Sequence, residues 1–243
     1  MNISVKILSL FCLVSLLSVS INVQAQNNTD YRSYSEITAK MKALNNAHKN
    51  ITELKSVAKT KGGKDVWVLT IGSGDVQNHP AIAVLGGAKA SHIVGSELTL
   101  RFAEQLLSKA NTEETKALLA STTFYVFPQI NPDASTQYFA SIKYERDGNM
   151  ISTDADRDGF FDEDGFDDLN GDKLITMMRV EDQTGNFTAH KDDARVMAKA
   201  DISNGEKGRY KIFTEGLDND KDGKFNEDGE GGVNINQNFS YDF

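Results

Sequence analysis

Thiols are almost absent from this chain of 243 residues, since Cys12 is the only cysteine. It sits in the N-terminal apolar segment behind the bulky Phe11, so a chain cleaved after Ala25 has neither a disulfide nor a thiolate metal ligand. A long apolar run is also missing. In "MNISVKILSLFCLVSLLSVSINVQA", Lys6 supplies a positive start, Ile7 to Val19 an apolar stretch, and Val23-Gln24-Ala25 a small-residue cleavage pattern before Gln26. The apolar stretch falls short of the ~20 residues a spanning helix needs, which favours a secretory signal peptide at 1–25 over an anchor. The expected location is secreted or periplasmic, with no membrane anchor after signal cleavage. Positive charge is scarce as well: 26 Lys and Arg face 35 Asp and Glu, and the net charge of −9 becomes −10 once Lys6 leaves. That balance argues against nucleic acid as a partner.

What remains after residue 25 is long enough for one domain with a substantial core. Its acid is unevenly spread. Between Glu145 and Glu230 lie 24 of the 35 acidic residues and 12 of the 26 basic ones, whereas residues 30–140 have ordinary globular composition. The first part reads as α/β. "SYSEITAKMKALNNAHK" opens on a capping-box pattern, Ser33 to Glu36, with Ile37, Met41 and Leu44 on one face, which predicts a helix over about 35–48. "ITELKSV", "VWVLTI", "AIAVLG" and "TTFYVFP" predict four strands, with helices near 92–109 and 113–120 between the last two. Trp67, on the second strand, reads as a core residue.

The acidic part, about 145–230, contains a repeat: "DADRDGFFDEDG" at 154–165 and "DNDKDGKFNEDG" at 218–229 agree at eight of twelve positions. Alternating aspartates before a turn glycine put hard oxygen donors on one side of a tight loop, the arrangement that suits calcium. The expected ligands are Asp154, Asp156 and Asp158 in one copy and Asp218, Asp220 and Asp222 in the other. Gly165 and Gly229 stand where an EF-hand has its closing glutamate, so closure falls to Asp162, Glu163 or Asp164, and to Asn226, Glu227 or Asp228. A third stretch, "DLNGDKLIT" at 168–176, is similar, but Lys173 stands where a turn glycine is expected. The competing reading is a solvated acidic surface, which would leave like charges crowded together.

"GGAKASHIVGSE" at 86–97 places Lys89 and His92 on a glycine loop between a strand and a helix, a favoured place for chemistry. With "FPQINPDA", "ITMMRVEDQTG" and "EGLDNDKDGKFNEDGEGGVNINQNF" following in order, the chain resembles the zinc carboxypeptidase A family of metallopeptidases, in a secreted bacterial form with an acidic insertion. The resemblance implies a partial mixed-sheet α/β fold of zinc-carboxypeptidase type over 26–243, carrying an acidic, loop-rich calcium-binding insertion. It also implies a peptide or protein substrate, hydrolysed at its C-terminal bond by a zinc-activated water.

Where the family loop reads His-x-x-Glu, this sequence has Lys89 and His92. A lysine ammonium must lose its proton before it can bind zinc, so Lys89 is a poor ligand and His92 a plausible one. By resemblance Arg146 takes the place of a carbonyl-polarising arginine and Asn236 that of a substrate-binding asparagine. Gln237 replaces an arginine and cannot form its bidentate fork. The family's third zinc ligand, substrate tyrosine and general-base glutamate lie later than Phe243, so the domain is expected to be incomplete as given. His48, His79 and His190 read as a helix end and two exposed loops. Two functions remain open: a metallocarboxypeptidase with impaired or no catalysis, and a noncatalytic, calcium-stabilised binding module.

Overall fold

The computed structural model describes residues 31–240 except 155, 156, 220, 222, 227, 228 and 230, so the signal segment lies outside the described residues. Helix α1 (Tyr34–Ala47) starts as expected. The Ser33 hydroxyl accepts from the Glu36 N–H and the Glu36 carboxylate accepts from the Ser33 N–H, which satisfies two donors that a helix start leaves open. Ile37 and Met41 point into the core.

Strands β1 (Thr52–Lys59), β2 (Asp65–Ile71), β3 (Ala81–Leu85) and β4 (Thr123–Phe127) form one mixed sheet in the order β1-β2-β4-β3. The β1–β2 and β2–β4 pairs are antiparallel, and β3–β4 is parallel. A parallel pair needs a crossover, supplied here by α2 (Val94–Ser108) and α3 (Glu113–Leu119). Leu100, Ala103 and Leu107 of α2 pack with Leu69, Ile71, Phe124 and Val126 of the sheet and with Ile37 and Met41 of α1. Trp67 lies half-buried against this core, with the Lys42 ammonium 5.3 Å from its ring centroid. No described helix is long and apolar enough to cross a membrane.

Beyond the short helix α4 (Pro132–Thr136), the acidic segment departs from the expectation. It contains strands β5 (Met177–Glu181), β6 (Phe187–Ala189), β7 (Met197–Lys199) and β8 (Tyr210–Thr214), paired in the order β5-β8-β6-β7. These four strands are short, three to five residues each, which leaves little pattern to read in the sequence. Only β5, whose exposure alternates residue by residue, has the period of two that marks a half-buried strand.

One buried carboxylate ties the sheet to α4. The Asp133 side chain is fully buried and accepts from the Thr60 hydroxyl at 2.9 Å, the Gly62 N–H at 3.0 Å and the Lys64 ammonium at 3.1 Å, all in the β1–β2 turn. A Cβ on Gly62 would lie 2.5 Å from that carboxylate, so glycine is required there.

Candidate functional site

The parallel strands β3 and β4 end side by side, Leu85 opposite Phe127, and the loops after them leave from the same end of the sheet. The glycine pair after β3 lets these loops close up. A Cβ on Gly86 would meet the Pro128 and Gly95 carbonyl oxygens, both at 2.7 Å, and Gly87 has φ +67 with Ser96 Oγ where its Cβ would go. The chain then turns, with the His92 N–H donating to the Lys89 carbonyl at 3.0 Å, and α2 begins at Val94, two residues later than expected. His92 therefore lies in the turn before the helix. Both Lys89 and His92 are exposed.

Ser91 links this loop to the next candidate. Its N–H and hydroxyl donate to Asp147 Oδ1 at 3.1 and 2.6 Å, and the buried Asn131 amide after β4 donates to the Asp147 carbonyl at 2.9 Å. Arg146, next in the chain, is only 8% exposed. Its Nε donates to the Gly148 carbonyl at 3.1 Å, Nη2 to the Asn149 carbonyl at 2.9 Å and Nη1 to the Tyr144 hydroxyl at 3.3 Å. Burial pushes the Tyr144 phenol up, against the pull of the Arg146 charge. The guanidinium thus organises its own loop. Residues 148–149 in turn pair with 233–234: the Asn149 N–H donates to the Val233 carbonyl and the Val233 N–H to Asn149 Oδ1. This brings in the turn Ile235–Gln237, where Asn236 and Gln237 are exposed and Gln237 Oε1 accepts from the Asn234 amide at 3.3 Å. The loops that carry Lys89 and His92, Arg146, and Asn236 are therefore linked to one another through Asp147 and Asn149, which sequence reasoning did not single out.

The donors at this end do not fit a catalytic zinc. Such a site needs three protein ligands, and the exposed Lys89 of the glycine loop carries a primary amine. Among the described residues, no three His, Cys, Asp or Glu side chains gather as a set able to hold a metal ion.

The acidic loops share one backbone geometry. Their fourth and sixth residues have positive φ throughout: Arg157 (68) and Gly159 (100), Lys221 (71) and Gly223 (91), Gly171 (76) and Lys173 (69). In each loop the leading aspartate accepts from the sixth N–H: Asp154 from Gly159 at 3.2 Å, Asp218 from Gly223 at 3.0 Å and Asp168 from Lys173 at 2.9 Å. Lys173 therefore takes the turn in place of glycine. Asp158 accepts from the Phe160 N–H, and Asp162 Oδ1 accepts from the Thr153 N–H. Asp156, Asp220, Asp222 and Glu227 lie outside the described residues.

Two buried carboxylates brace these loops from outside. Asp164, 1% exposed, accepts from the Asn219 and Asn226 N–H groups, the second and ninth positions of the 218 loop. Both of its oxygens are engaged. Glu215, 4% exposed, accepts from Leu169, Asn170 and Thr176 N–H and the Thr176 hydroxyl, holding the same second and ninth positions of the 168 loop. Burial pushes the Glu215 carboxyl up, but these hydrogen bonds outweigh it and hold its pKa below the ordinary glutamate value.

Comparison with known proteins finds partial matches to carboxypeptidases. The sequence is 30% identical over 108 residues to carboxypeptidase E of Caenorhabditis elegans, a match covering 42% of this chain and 23% of that protein. It is 27% identical over 139 residues to a zinc carboxypeptidase of Saccharothrix mutabilis subsp. capreolus, covering 53% and 32%. The solved carboxypeptidase A of Helicoverpa armigera overlaps 56% of this chain and 34% of its own, at 19% identity and a TM-score of 0.47. The matched parts thus span about a quarter to a third of these relatives' lengths. The zinc carboxypeptidase family model matches residues 37–243, and the chain belongs to that family.

Proposed function

We propose that this chain is a secreted member of the zinc carboxypeptidase family that has lost catalytic zinc chemistry and acts as a calcium-stabilised peptide-binding module. The observation that carries the first half is Lys89. Around it the loop keeps its glycine pair, its turn and its link through Ser91 to Asp147, so the change falls on the donor itself and not on its placement. A lysine side chain offers an ammonium, not the neutral nitrogen donor that an imidazole presents to zinc. Gln237 adds a second loss, since an uncharged amide cannot hold a substrate carboxylate as a guanidinium would. With the zinc donors unsuited, Arg146 and Asn236 are left as peptide-contacting positions, Arg146 acting chiefly by fixing the 144–149 loop.

Calcium rests on a different observation. One oxygen of Asp154 and one of Asp218, the leading residues of the two repeats, are buried and have no hydrogen-bond partner among the described residues. A buried, unpaired carboxylate oxygen is costly, and a cation supplies what it lacks. Asp156, Asp158, Asp162 and Glu163 would complete one set, and Asp220, Asp222, Asn226 and Glu227 the other.

The deciding experiment is calorimetric zinc titration of residues 26–243 after chelator dialysis, with calcium restored. Weak binding is expected, strengthened in Lys89→His/His92→Glu without recovery of peptide hydrolysis. Tight zinc binding by the unmodified chain would overturn the proposal.

A further inference from the structure

A cavity of about 400 Å³ lies where the sheet meets the acidic segment, within the size range of small-ligand sites. Ala90, Ala134, Leu174, Ile175 and the Tyr138 ring give it apolar walls. The Leu174 wall is fixed to the opposite side by paired backbone bonds. The Lys143 N–H donates to the Lys173 carbonyl and the Ile175 N–H to the Lys143 carbonyl, both at 2.9 Å. Yet Leu174 and Tyr138 remain 47% and 38% exposed, apolar surface that an occupant would cover.

Three charged side chains also line it: Lys143 and Glu145, two positions apart in the chain and both exposed, and Arg146, whose guanidinium already donates to the Gly148 and Asn149 carbonyls. The Lys143 ammonium lies 5.6 Å from the Tyr138 ring centroid, and neither it nor the Glu145 carboxylate forms an ion pair with a described residue. A cation and an anion held apart beside apolar walls complement a ligand with the same features reversed. We infer that this cavity binds a small zwitterion with an apolar body, of the amino-acid class, its carboxylate at Lys143 and its ammonium at Glu145. The inference rests on the proposed peptide-binding reading, since Ser91 and Arg146 of the candidate site line the same cavity, and deepens it by naming the ligand class; it requires no metal.

The test is calorimetry with L-leucine, isoamylamine, which lacks the carboxylate, and 4-methylpentanoate, which lacks the amine. Calcium is kept present and zinc removed by a selective chelator. Leucine should bind saturably, and each single-charge analogue should bind at least about tenfold more weakly. Lys143→Gln should erase leucine's advantage over isoamylamine, and Glu145→Gln its advantage over 4-methylpentanoate. Ala134→Trp should fill the cavity and abolish binding. Because Ala134 is buried and that variant can fail to fold, Leu174→Arg on the exposed wall serves as a second block. Because zinc is chelated throughout, leucine binding is read independently of the zinc titration, which separates this inference from the zinc proposal. Equal affinity for the three compounds, leucine binding insensitive to both charge changes, or no saturable binding would overturn it.

Discussion

The two halves of the molecule are held together by opposite kinds of side chain. Every buried hydrophobic side chain among the described residues lies between Ile37 and Ala134, in the first sheet, its helices and the loop before α2. Past Ala134 the buried polar or charged side chains are Ser135, Arg146, Asp164 and Glu215, and the last three each grip backbone groups of a loop. An apolar core stabilises through area removed from water and is nearly indifferent to ions and pH. A framework of carboxylates on backbone N–H groups depends on both. The acidic half should therefore be a separately adjustable unit on a stable base.

The largest expected effect is calcium removal, which should break the comparison open. A site filled at about a thousand times its Kd contributes about 4 kcal/mol, and two loops are at stake. With calcium, residues 145–230 should resist protease; with chelator they should be cut first while 31–140 persists. Asp154→Ala should lose about half of the calcium dependence, and Asp154→Ala with Asp218→Ala most of it. Identical digestion patterns with and without calcium would remove the cation from the account.

Next comes the apolar half. Leu100 is fully buried against Leu69 and Val126, and Leu100→Ala should cost about 3 kcal/mol in urea unfolding, equally with calcium or chelator. A calcium-dependent cost would show that the halves are not separable. Asp164→Ala should show the reverse pattern: about 2 kcal/mol, confined to the acidic half, because the Asn219 and Asn226 N–H groups lose their acceptor.

The same contrast explains what the sequence could tell. The capping box at Ser33, the strands of the first sheet and the glycine loop around Lys89 are local signals, written within a few residues, and the structure has them nearly in register. The braces of the acidic half are not local. Asp164 reaches 55 and 62 residues along the chain, and Glu215 reaches back 39 to 46, so each reads in sequence as one more surface acid. The hold of Arg146 on its own loop is not legible, since it donates to the Gly148 and Asn149 carbonyls and the Tyr144 hydroxyl, partners that composition does not reveal. Lys173 made the third loop look defective. Its φ of +69 shows that a lysine can take the glycine turn, at a cost of about 1–2 kcal/mol that the surrounding hydrogen bonds offset.

The smallest and sharpest test is the pH dependence of that third loop. Glu215 has a folded pKa below its ordinary 4.5, because four hydrogen bonds from Leu169, Asn170 and Thr176 outweigh the burial that would raise it. A depressed folded pKa contributes stability that is present above the unfolded value and is lost as pH falls through the folded one. Lys211 and Thr184 hold Asp182 down as well, to about 2, but that carboxylate lies on the surface, where solvent screens its contribution. Glu215 is the carboxylate to test because water does not reach it. Glu215→Gln keeps the shape and removes the charge, so at pH 7 it should weaken the acidic half by about 1–2 kcal/mol. The difference from the unmodified chain should shrink steadily below the ordinary glutamate pKa. Subtracting the two urea-unfolding series from pH 7 to pH 3 cancels the other carboxylates and leaves the Glu215 contribution. A constant difference across that range would mean that Glu215 acts by packing alone, and the proposed electrostatic hold on the 168–176 loop would fall.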